Sequence, residues 1–209
     1  MIIGTLTSIW RYPTKSLRAE SLDAVEVEAS GLRGDRERAF FVRSYGHARS
    51  GKTYRGKEND RLHLLDDPGR VPELAAQNAV DVEFRDGERF FDDAPVSVLV
   101  DRWLEGLSAH LGYAVEPVRF RPNFFVTATP DFAGDERDLQ GCILELGTVK
   151  LQVRSPIERC VVTTYDPAGG DSDPRILRFV AQQRNAWMGI YCDVLTPGAA
   201  RIGEAVTSH

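Results

Sequence analysis

Much of the chain shows the alternation of apolar and polar residues that is typical of β-strands. In the clearest example, Val149, Leu151 and Val153 alternate with three polar residues, so one face of that strand is buried and the other is solvated. β-Branched and aromatic residues predict further strands at residues 2–10, 25–28, 39–42, 161–165, 189–195 and 201–206. Short strands separated by glycine, proline and aspartate turns predict a mainly β (α+β) fold with a β-barrel or sandwich-like core.

Two segments instead follow the period of a helix, and we expect them to lie at the periphery of the β core. Apolar residues from Val96 to Leu111 recur at i, i+3, i+4 and i+7, with start signals at residues 93–95 and a stop at Gly112. A second helix is predicted over residues 173–185, where an Asp-Pro pair supplies the start.

No internal repeat or low-complexity tract divides the chain. The pattern suggests one boundary, at residues 112–117, between a first part (1–112) and a second part (113–209). Because both parts are rich in short strands, we expect them to share a core and to fold as one compact unit.

Composition narrows the classes of function. The 209 residues include 26 lysines and arginines and 31 acidic residues, a formal net charge of −5, which argues against a constitutive nucleic-acid binder. The longest apolar run is too short to span a membrane, and the N-terminus lacks the basic start and apolar stretch of a signal peptide. We therefore expect a cytoplasmic protein with neither a membrane nor a nucleic-acid partner.

Residues 33–61 are basic within this acidic chain, with nine lysines and arginines against four acids. One interpretation is a solvated loop, since runs of charge usually face water. The other is a wall that binds phosphate, because arginine forks pair with phosphate oxygens and glycines such as Gly31, Gly34, Gly46 and Gly51 let backbone N–H groups approach an anion.

A second basic cluster occupies residues 119–123. Pro122 disfavours helical geometry at the preceding residue, so we expect Arg121 to be extended and a stiff turn to display Arg121 and Asn123. The alternative is a simple turn between strands.

The three cysteines differ in context, and their odd number and wide spacing exclude a complete disulfide framework and a CxxC pair. Cys142 and Cys192 occupy predicted strand positions, where a small apolar residue packs. Cys160 follows a break after one strand, precedes the predicted strand 161–165, and has Arg159 beside it. Nearby cations favour a thiolate that can attack or can ligate a soft metal, although a packed cysteine is the alternative. No histidine lies near it in sequence to make a Cys-His pair.

Several motifs, in order along the chain, resemble one family. Residues 10–17 (WRYPTKSL) are similar to a YPxKSL opening, residues 31–36 (GLRGDR) to GLxGDR, residues 119–123 (RFRPN) to RxRPN, and residues 158–167 (ERCVVTTYDP) to RCxxTxxDP. Residues 189–191 and 202–204 resemble the closing FGxY and IxxGD elements. Together these motifs resemble the MOSC proteins (molybdenum cofactor sulfurase C-terminal domain), including their N-terminal β-barrel part, from end to end.

The resemblance implies a MOSC-type β-barrel that binds the molybdenum cofactor (molybdopterin), with residues 1–112 as the N-terminal region and 113–209 as the MOSC core. Cys160 matches the cysteine that ligates molybdenum in reductases of the amidoxime-reducing and YcbX type, or that carries a persulfide in sulfurase-linked members. The resemblance assigns cofactor binding to the residues that match the motifs: Lys15, Ser16, Arg36, Arg121, Asn123, Arg159, Thr163 and Thr164. The family is also associated with binding of pyridoxal phosphate.

Two functions follow from the resemblance. A reductase would remove oxygen from a small N-hydroxylated or oxidised substrate, and because the chain shows no cysteine spacing for an iron–sulfur cluster, we expect a separate electron-donor protein. A sulfur carrier would hold a persulfide on Cys160 and receive sulfur from a cysteine desulfurase. A module that binds anionic partners such as nucleotides or RNA through residues 33–61 is a third possibility that the net charge disfavours. Residues 132–138 lack the tryptophan of the corresponding family element, so the resemblance leaves the geometry of that segment open.

Overall fold

The computed structural model describes residues 1–43 and 48–209. The strands are β1 (Ile2–Arg11), β2 (Glu20–Leu22), β3 (Ala24–Glu28), β4 (Gly31–Leu32), β5 (Arg38–Val42), β6 (Val82–Asp86), β7 (Val96–Val100), β8 (Phe124–Ala128), β9 (Ile143–Leu146), β10 (Val149–Glu158), β11 (Trp187–Thr196), β12 (Gly198–Arg201) and β13 (Ala205–Ser208). The helices are α1 (Val71–Ala76), α2 (Arg102–Leu111) and α3 (Pro174–Gln183). Short 3₁₀ helices occupy Leu62–Leu64, Pro68–Arg70, Pro117–Phe120 and Val161–Thr164.

Seven strands close into a β-barrel. They follow the order β13-β9-β10-β11-β7-β8-β1, β1 pairs again with β13, and β2 extends the sheet from β1. All neighbours are antiparallel except β7 and β8. Alternate side chains such as Leu6, Leu151 and Ile190 fill the interior and are completely buried, as closure of a small barrel requires. The predicted mainly β fold with a barrel core and few helices is confirmed.

A second, smaller hydrophobic cluster lies outside the barrel. The antiparallel pair β5 and β6 packs with α1 and with the loop that follows β5, and Leu17, Phe40, Tyr54, Leu62 and Val71 are among its buried residues. The backbone bridge between Thr14 and Arg38 ties this cluster to the end of β1. The chain after β1 therefore runs between two packed cores, which is where the site described below is found.

The structure corrects the predicted start of the first helix. Residues 96–100 form strand β7, in which all five residues are buried, and the helix begins only at Arg102, where the Asp101 carboxylate accepts a hydrogen bond from the Arg102 N–H at 2.7 Å. Four of these five residues are apolar and the fifth is Ser97, so the run lacks the polar face of a surface helix and fits a strand covered on both sides. The predicted stop at Gly112 is confirmed, since its φ is +79°.

Two other strand predictions need correction. Residues 161–165, predicted as a strand, contain a 3₁₀ helix, Val161–Thr164. Residues 201–206, predicted as one strand, are divided by a turn between β12 and β13. The strands predicted at residues 2–10, 25–28, 39–42 and 189–195 and the helix predicted at 173–185 are confirmed, whereas α1 and β6 had not been predicted. In the described part of the chain no helix is long and apolar enough to cross a membrane.

Candidate functional site

Between the barrel and the second cluster lies a cavity that collects most of the predicted site residues. Lys15, Ser16, Arg36, Arg121, Arg159, Cys160 and Thr163 line it. Its described lining contains seven lysines and arginines but only two carboxylates. The chain as a whole is acidic, so the fold concentrates positive charge at this one place. A cavity of this kind suits an anionic ligand.

Tyr12 organises two of these cations. The guanidinium carbon of Arg36 lies 4.7 Å from the centre of the Tyr12 ring and that of Arg121 lies 4.1 Å from it. The ring is fully buried, and its hydroxyl donates to the carbonyl of Pro122 at 3.2 Å. Burial raises the pKa of Tyr12 to about 12, so the phenol stays neutral and presents its π face to both cations.

Asn123 and Thr164, both predicted to bind the cofactor, are buried behind the cavity and do not line it. The Asn123 side-chain oxygen accepts from the Ser97 N–H and from the Ser97 hydroxyl, each at 3.0 Å, and from Arg36 at 3.4 Å. The Thr164 hydroxyl donates to the carbonyl of Val161 at 2.7 Å. The contacts of Asn123 hold the lining residues Ser97 and Arg36 in place, whereas the Thr164 contact lies within the 3₁₀ helix Val161–Thr164.

Three lining residues have left-handed backbones. Ser16, Arg36 and Arg121 have φ values of 73°, 49° and 51°. The prediction that Arg121 is extended is therefore wrong. The chain ends the 3₁₀ helix Pro117–Phe120 at Arg121, whose N–H donates to the carbonyl of Val118 at 3.0 Å, and this termination requires the left-handed turn. Non-glycine residues in this region carry backbone strain, and such strain is concentrated at functional sites.

Arg159 is fixed from two sides. Its Nε donates to the carbonyl of Met188 at 2.6 Å and its Nη1 to the carbonyl of Phe120 at 2.8 Å. Gly189 has φ +89°, and a Cβ there would lie 3.0 Å from Arg159 Nη2. The motif glycine therefore makes the room that the guanidinium occupies.

Residues 132–138, whose geometry the sequence left open, hold the Gly189 segment. The buried Glu136 carboxylate accepts from the Gly189 N–H at 3.1 Å and from Arg184 at 2.6 Å. Trp103, on α2, donates its indole N–H to the carbonyl of Gly134 at 2.9 Å. Residues 132–138 thus hold β11, the strand that carries Gly189, in place.

Arg121 and Arg159 lie in the cavity lining outside the ion pairs that the described residues form. Neither forms an ion pair with a described carboxylate, and the Nη2 atom of each is shielded from solvent without a hydrogen-bond partner. Burial lowers the pKa of both residues to about 10, so both stay charged at neutral pH. An unpaired buried donor costs about 1–3 kcal/mol, a cost that an incoming anion would offset.

Lys15 differs because a carboxylate holds it. Its Nζ lies 2.6 Å from Asp92 Oδ1. Burial lowers the pKa of Lys15, and Asp92 opposes that shift. Burial also disfavours the charged form of Asp92, but the attraction of Lys15 prevails and the pKa of Asp92 is lowered. The pair is ionised at neutral pH, and its lysine carries a positive charge at the cavity.

Cys160 lies at the turn between β10 and the 3₁₀ helix Val161–Thr164, half-buried and in the cavity lining. Its carbonyl accepts from the Thr163 N–H at 3.1 Å and from the Thr163 hydroxyl at 3.0 Å. The 3₁₀ turn, rather than the predicted strand, leaves the thiol at the cavity. Cys192 is fully buried in β11, where burial raises the pKa of its thiol, and Cys142 lies just before β9 instead of within a strand.

The basic stretch 33–61 is in part a cavity wall and in part a solvated surface, so each of the two interpretations drawn from the sequence holds for some of its residues. Arg36, Arg55 and Lys57 line the cavity, whereas Arg33 pairs with Glu26 and Glu28 on an exposed surface. Gly46 and His47 lie outside the described residues.

Sequence reasoning missed several residues that the fold brings to the cavity. Asp92, His63, Ser97 and Tyr191 line it beside the predicted residues. The His63 ring stacks on Tyr165 and its Nε2 lies 2.8 Å from the carbonyl of Asp166, while burial lowers its pKa. These residues come from separate elements, and only Tyr191 belongs to a motif noted in the sequence (residues 189–191), so the fold is needed to place them at the cavity.

The sequence matches two family models and resembles two mitochondrial proteins. The MOSC domain family model matches residues 83–207, and the model of the MOSC N-terminal beta barrel domain matches residues 3–90. The chain is 26% identical to mitochondrial amidoxime reducing component 2 from Bos taurus, over 98% of this chain and 83% of that protein. It is 29% identical to mitochondrial amidoxime-reducing component 1 from Mus musculus, over 67% of this chain and 44% of that protein.

Solved structures show the same fold. The YUAD protein from Bacillus subtilis superposes with a TM-score of 0.60 at 16% identity, over 99% of this chain and 95% of that chain. A second crystal structure, of a hypothetical protein, gives a TM-score of 0.50 at 13% identity, over 99% of this chain and 68% of that chain. At these identities the likeness concerns the fold alone.

Proposed function

The chain belongs to the MOSC family, and from that premise we propose that it is a molybdenum-cofactor-dependent reductase that removes oxygen from a small N-hydroxylated or otherwise oxidised substrate. One observation carries the proposal: the half-buried Cys160 shares a cavity with two guanidiniums, of Arg121 and Arg159, that form no ion pair with a described carboxylate. A thiol beside unpaired cations suits a ligand that is both a phosphate ester and a carrier of a soft metal.

The chain's residues fit such a group. The phosphate-bearing end requires cations and rigid hydrogen-bond donors, and Arg121 and Arg159 retain unpaired N–H groups after all their protein contacts are made. Lys15 and Arg36 add two further positive charges at the same lining. These four side chains, with Ser16, would hold the anionic part of the cofactor.

Cys160 would supply the protein's thiolate ligand. The two hydrogen bonds from Thr163 to its carbonyl fix the backbone of Cys160 at the cavity lining. The bound molybdenum centre would provide oxygen-atom transfer chemistry.

Removal of one oxygen from an N-hydroxylated substrate consumes two electrons and two protons and releases water. We assign the electrons to a separate donor protein. This assignment is supported by the two mitochondrial relatives, each of which is named as a component of an amidoxime-reducing system.

Metal and pterin analysis tests the proposal directly. Protein purified from cells supplied with molybdate is expected to contain nearly one molybdenum and one pterin per chain. Cys160→Ser is expected to lose the metal, whereas the control Cys142→Ser, at the other half-buried cysteine, keeps it. Metal-free wild-type protein overturns the proposal.

The same samples separate the reductase from the sulfur carrier. After incubation with a cysteine desulfurase and cysteine, intact-mass and peptide analysis would reveal one added sulfur on the Cys160 peptide. A persulfide on Cys160 in protein that never acquires molybdenum would favour the carrier and exclude the reductase.

A further inference from the structure

A second cavity lies on the other side of Arg121. It has a volume of about 320 Å³, within the range of roughly 300–1,000 Å³ typical of small-molecule pockets. Trp10, Tyr12, Arg18 and Pro167 contribute to its lining, and His63 and Arg121 line both cavities. The proposed reductase chemistry does not use this space.

The lining combines an aromatic wall with positive charge. Arg18 and Arg121 bring two guanidiniums, and no carboxylate belongs to the described lining of this second cavity. Neither arginine forms an ion pair with a described carboxylate. The cavity therefore attracts anions as the first one does, although it contains no thiol.

The aromatic wall comes from β1. Trp10 is half-buried, and Phe125 supports its ring, with the two ring centres 6.1 Å apart. Tyr12 already carries the guanidinium of Arg121 over its ring, so it positions the cation while Trp10 offers apolar surface. Pro167 and Val118 complete the apolar part of the lining.

We propose that this second cavity is a binding site for a flat aromatic anion, whose ring packs against Trp10 and whose carboxylate or phosphate lies between Arg18 and Arg121. An indole ring contributes stacking and dispersion to a planar ligand. A guanidinium pair recognises either acidic group through charge-assisted hydrogen bonds. The shared Arg121 places this ligand next to the first cavity without placing it inside.

Isothermal titration of the purified full-length protein tests the site. The probes are 2-naphthoate and adenosine 5′-monophosphate, which distinguish a carboxylate from a phosphate as the acidic group. Neutral 2-naphthamide lacks the acidic group, and acetate lacks the aromatic ring. Each is expected to bind about tenfold or more weakly than 2-naphthoate, a factor that corresponds to about 1.4 kcal/mol of lost binding free energy.

Variants locate the bound probe. Arg18→Glu reverses the charge of an exposed side chain and is expected to weaken the better probe by at least about tenfold, and Trp10→Leu is expected to weaken it by a similar factor. Arg178→Glu, a matched charge reversal at an exposed position on α3, should leave the dissociation constant unchanged. Arg159→Met changes only the first cavity and should also leave it unchanged.

Three results overturn the site. The first is that neither aromatic anion binds at millimolar concentration. The second is that both anions bind equally well to the wild type and to Arg18→Glu. The third is that Arg159→Met weakens binding of the probe more than Arg18→Glu does. The last result would place the probe in the first cavity. Circular dichroism of each variant establishes that a loss of binding is not a loss of folding.

Discussion

The barrel interior and the cation cavity lie next to each other but follow opposite rules. The interior is filled by completely buried apolar residues such as Leu6, Phe124 and Ile190, and each buried side chain contributes to stability. The cavity holds unpaired guanidiniums, left-handed non-glycine residues and a half-buried thiol. The unpaired donors and the left-handed residues cost free energy in the ligand-free protein.

The barrel strands support the cavity, and the cavity carries the groups that are available to bind a ligand. The barrel can hold Arg121 and Arg159 in place because β7, β8 and β11 pair on one side of the cavity. The strained residues lie between elements: Ser16 follows β1, Arg36 lies between β4 and β5, and Arg121 lies between the 3₁₀ helix Pro117–Phe120 and β8. Stability and binding are thus separated in space, and substitutions in the two regions should change different quantities.

Loss of a large side chain from the barrel should have the largest effect. Phe124→Ala removes a completely buried ring from β8, and we expect a loss of about 3–5 kcal/mol in the free energy of unfolding. Urea denaturation measures it. Phe84→Ala removes the same ring from a position that is 45% exposed on β6 and should cost far less. Equal losses at the two positions would contradict the assignment of Phe124 to the stabilising core.

The next largest loss of stability is expected from an added methyl group at Gly189, at the boundary between the barrel and the cavity. Gly189→Ala places a methyl group 3.0 Å from both Arg159 Nη2 and the carbonyl of Val98, at φ +89°. We expect a loss of about 1–3 kcal/mol in stability, together with weaker binding of sulfate measured by titration calorimetry, because Arg159 must move.

Gly203→Ala is the matched control for this substitution. Its φ is +93°, but no atom lies within 4 Å of the added carbon. It should share the backbone cost and leave sulfate binding unchanged. If both alanine variants bind sulfate as the wild type does, the proposed link between Gly189 and Arg159 is wrong.

Removal of a cavity cation should stabilise the ligand-free protein. Arg121 has a pKa lowered by burial to about 10, so its charge opposes folding at neutral pH. We expect Arg121→Met to raise the free energy of unfolding by roughly 1–2 kcal/mol at pH 7, after the lost contact with Tyr12 is subtracted. Arg178→Met, at an exposed position on α3, should have little effect.

The pH dependence of that gain has a definite sign. Below pH 10 Arg121 is protonated in both the folded and the unfolded state, so the difference between wild type and Arg121→Met stays constant. Above the folded pKa of about 10 the unfolded state binds more protons, and wild-type stability rises relative to the variant. Urea titrations at pH 7 and pH 10.5 should show the gap narrowing, and a gap that widens would refute the assignment.

The sequence predicted the barrel well because period-two alternation and turn residues are local signals. It placed Lys15, Arg36, Arg121 and Cys160 correctly near one another only through ordered motifs, since these residues are far apart in the chain. Their chemical roles stay predictions, as does the division of the chain at residue 112.

Three failures have tertiary causes. Residues 96–100 match a helical period, yet the barrel needs a strand between β8 and β11. Arg121 precedes a proline, yet the end of a 3₁₀ helix imposes a left-handed turn on it. Asp92 pairs with Lys15, which lies 77 positions earlier in the sequence, and no local pattern predicts such a contact.

The last prediction concerns the Lys15–Asp92 pair at the cavity, where we expect a small change in the stabilisation of the protein by sulfate. Sulfate should stabilise the protein because it binds only the folded state. Burial lowers the pKa of Lys15 against the opposing attraction of Asp92, and the nearby cations Arg36 and Arg55 lower it further. A lysine is charged below its pKa, so the sulfate-dependent gain in melting temperature should decline as pH rises towards that lowered pKa.

Differential scanning fluorimetry from pH 7 to pH 10, with and without sulfate, measures this decline, which we expect to amount to a few tenths of a kcal/mol. Asp92→Asn removes the carboxylate that opposes the shift, so its decline should begin at lower pH than in the wild type. Lys15→Gln should bind sulfate more weakly and lack the part of the decline that comes from the lysine. A wild-type profile identical to that of Lys15→Gln would remove Lys15 from the anion site and leave the two unpaired arginines as its cations.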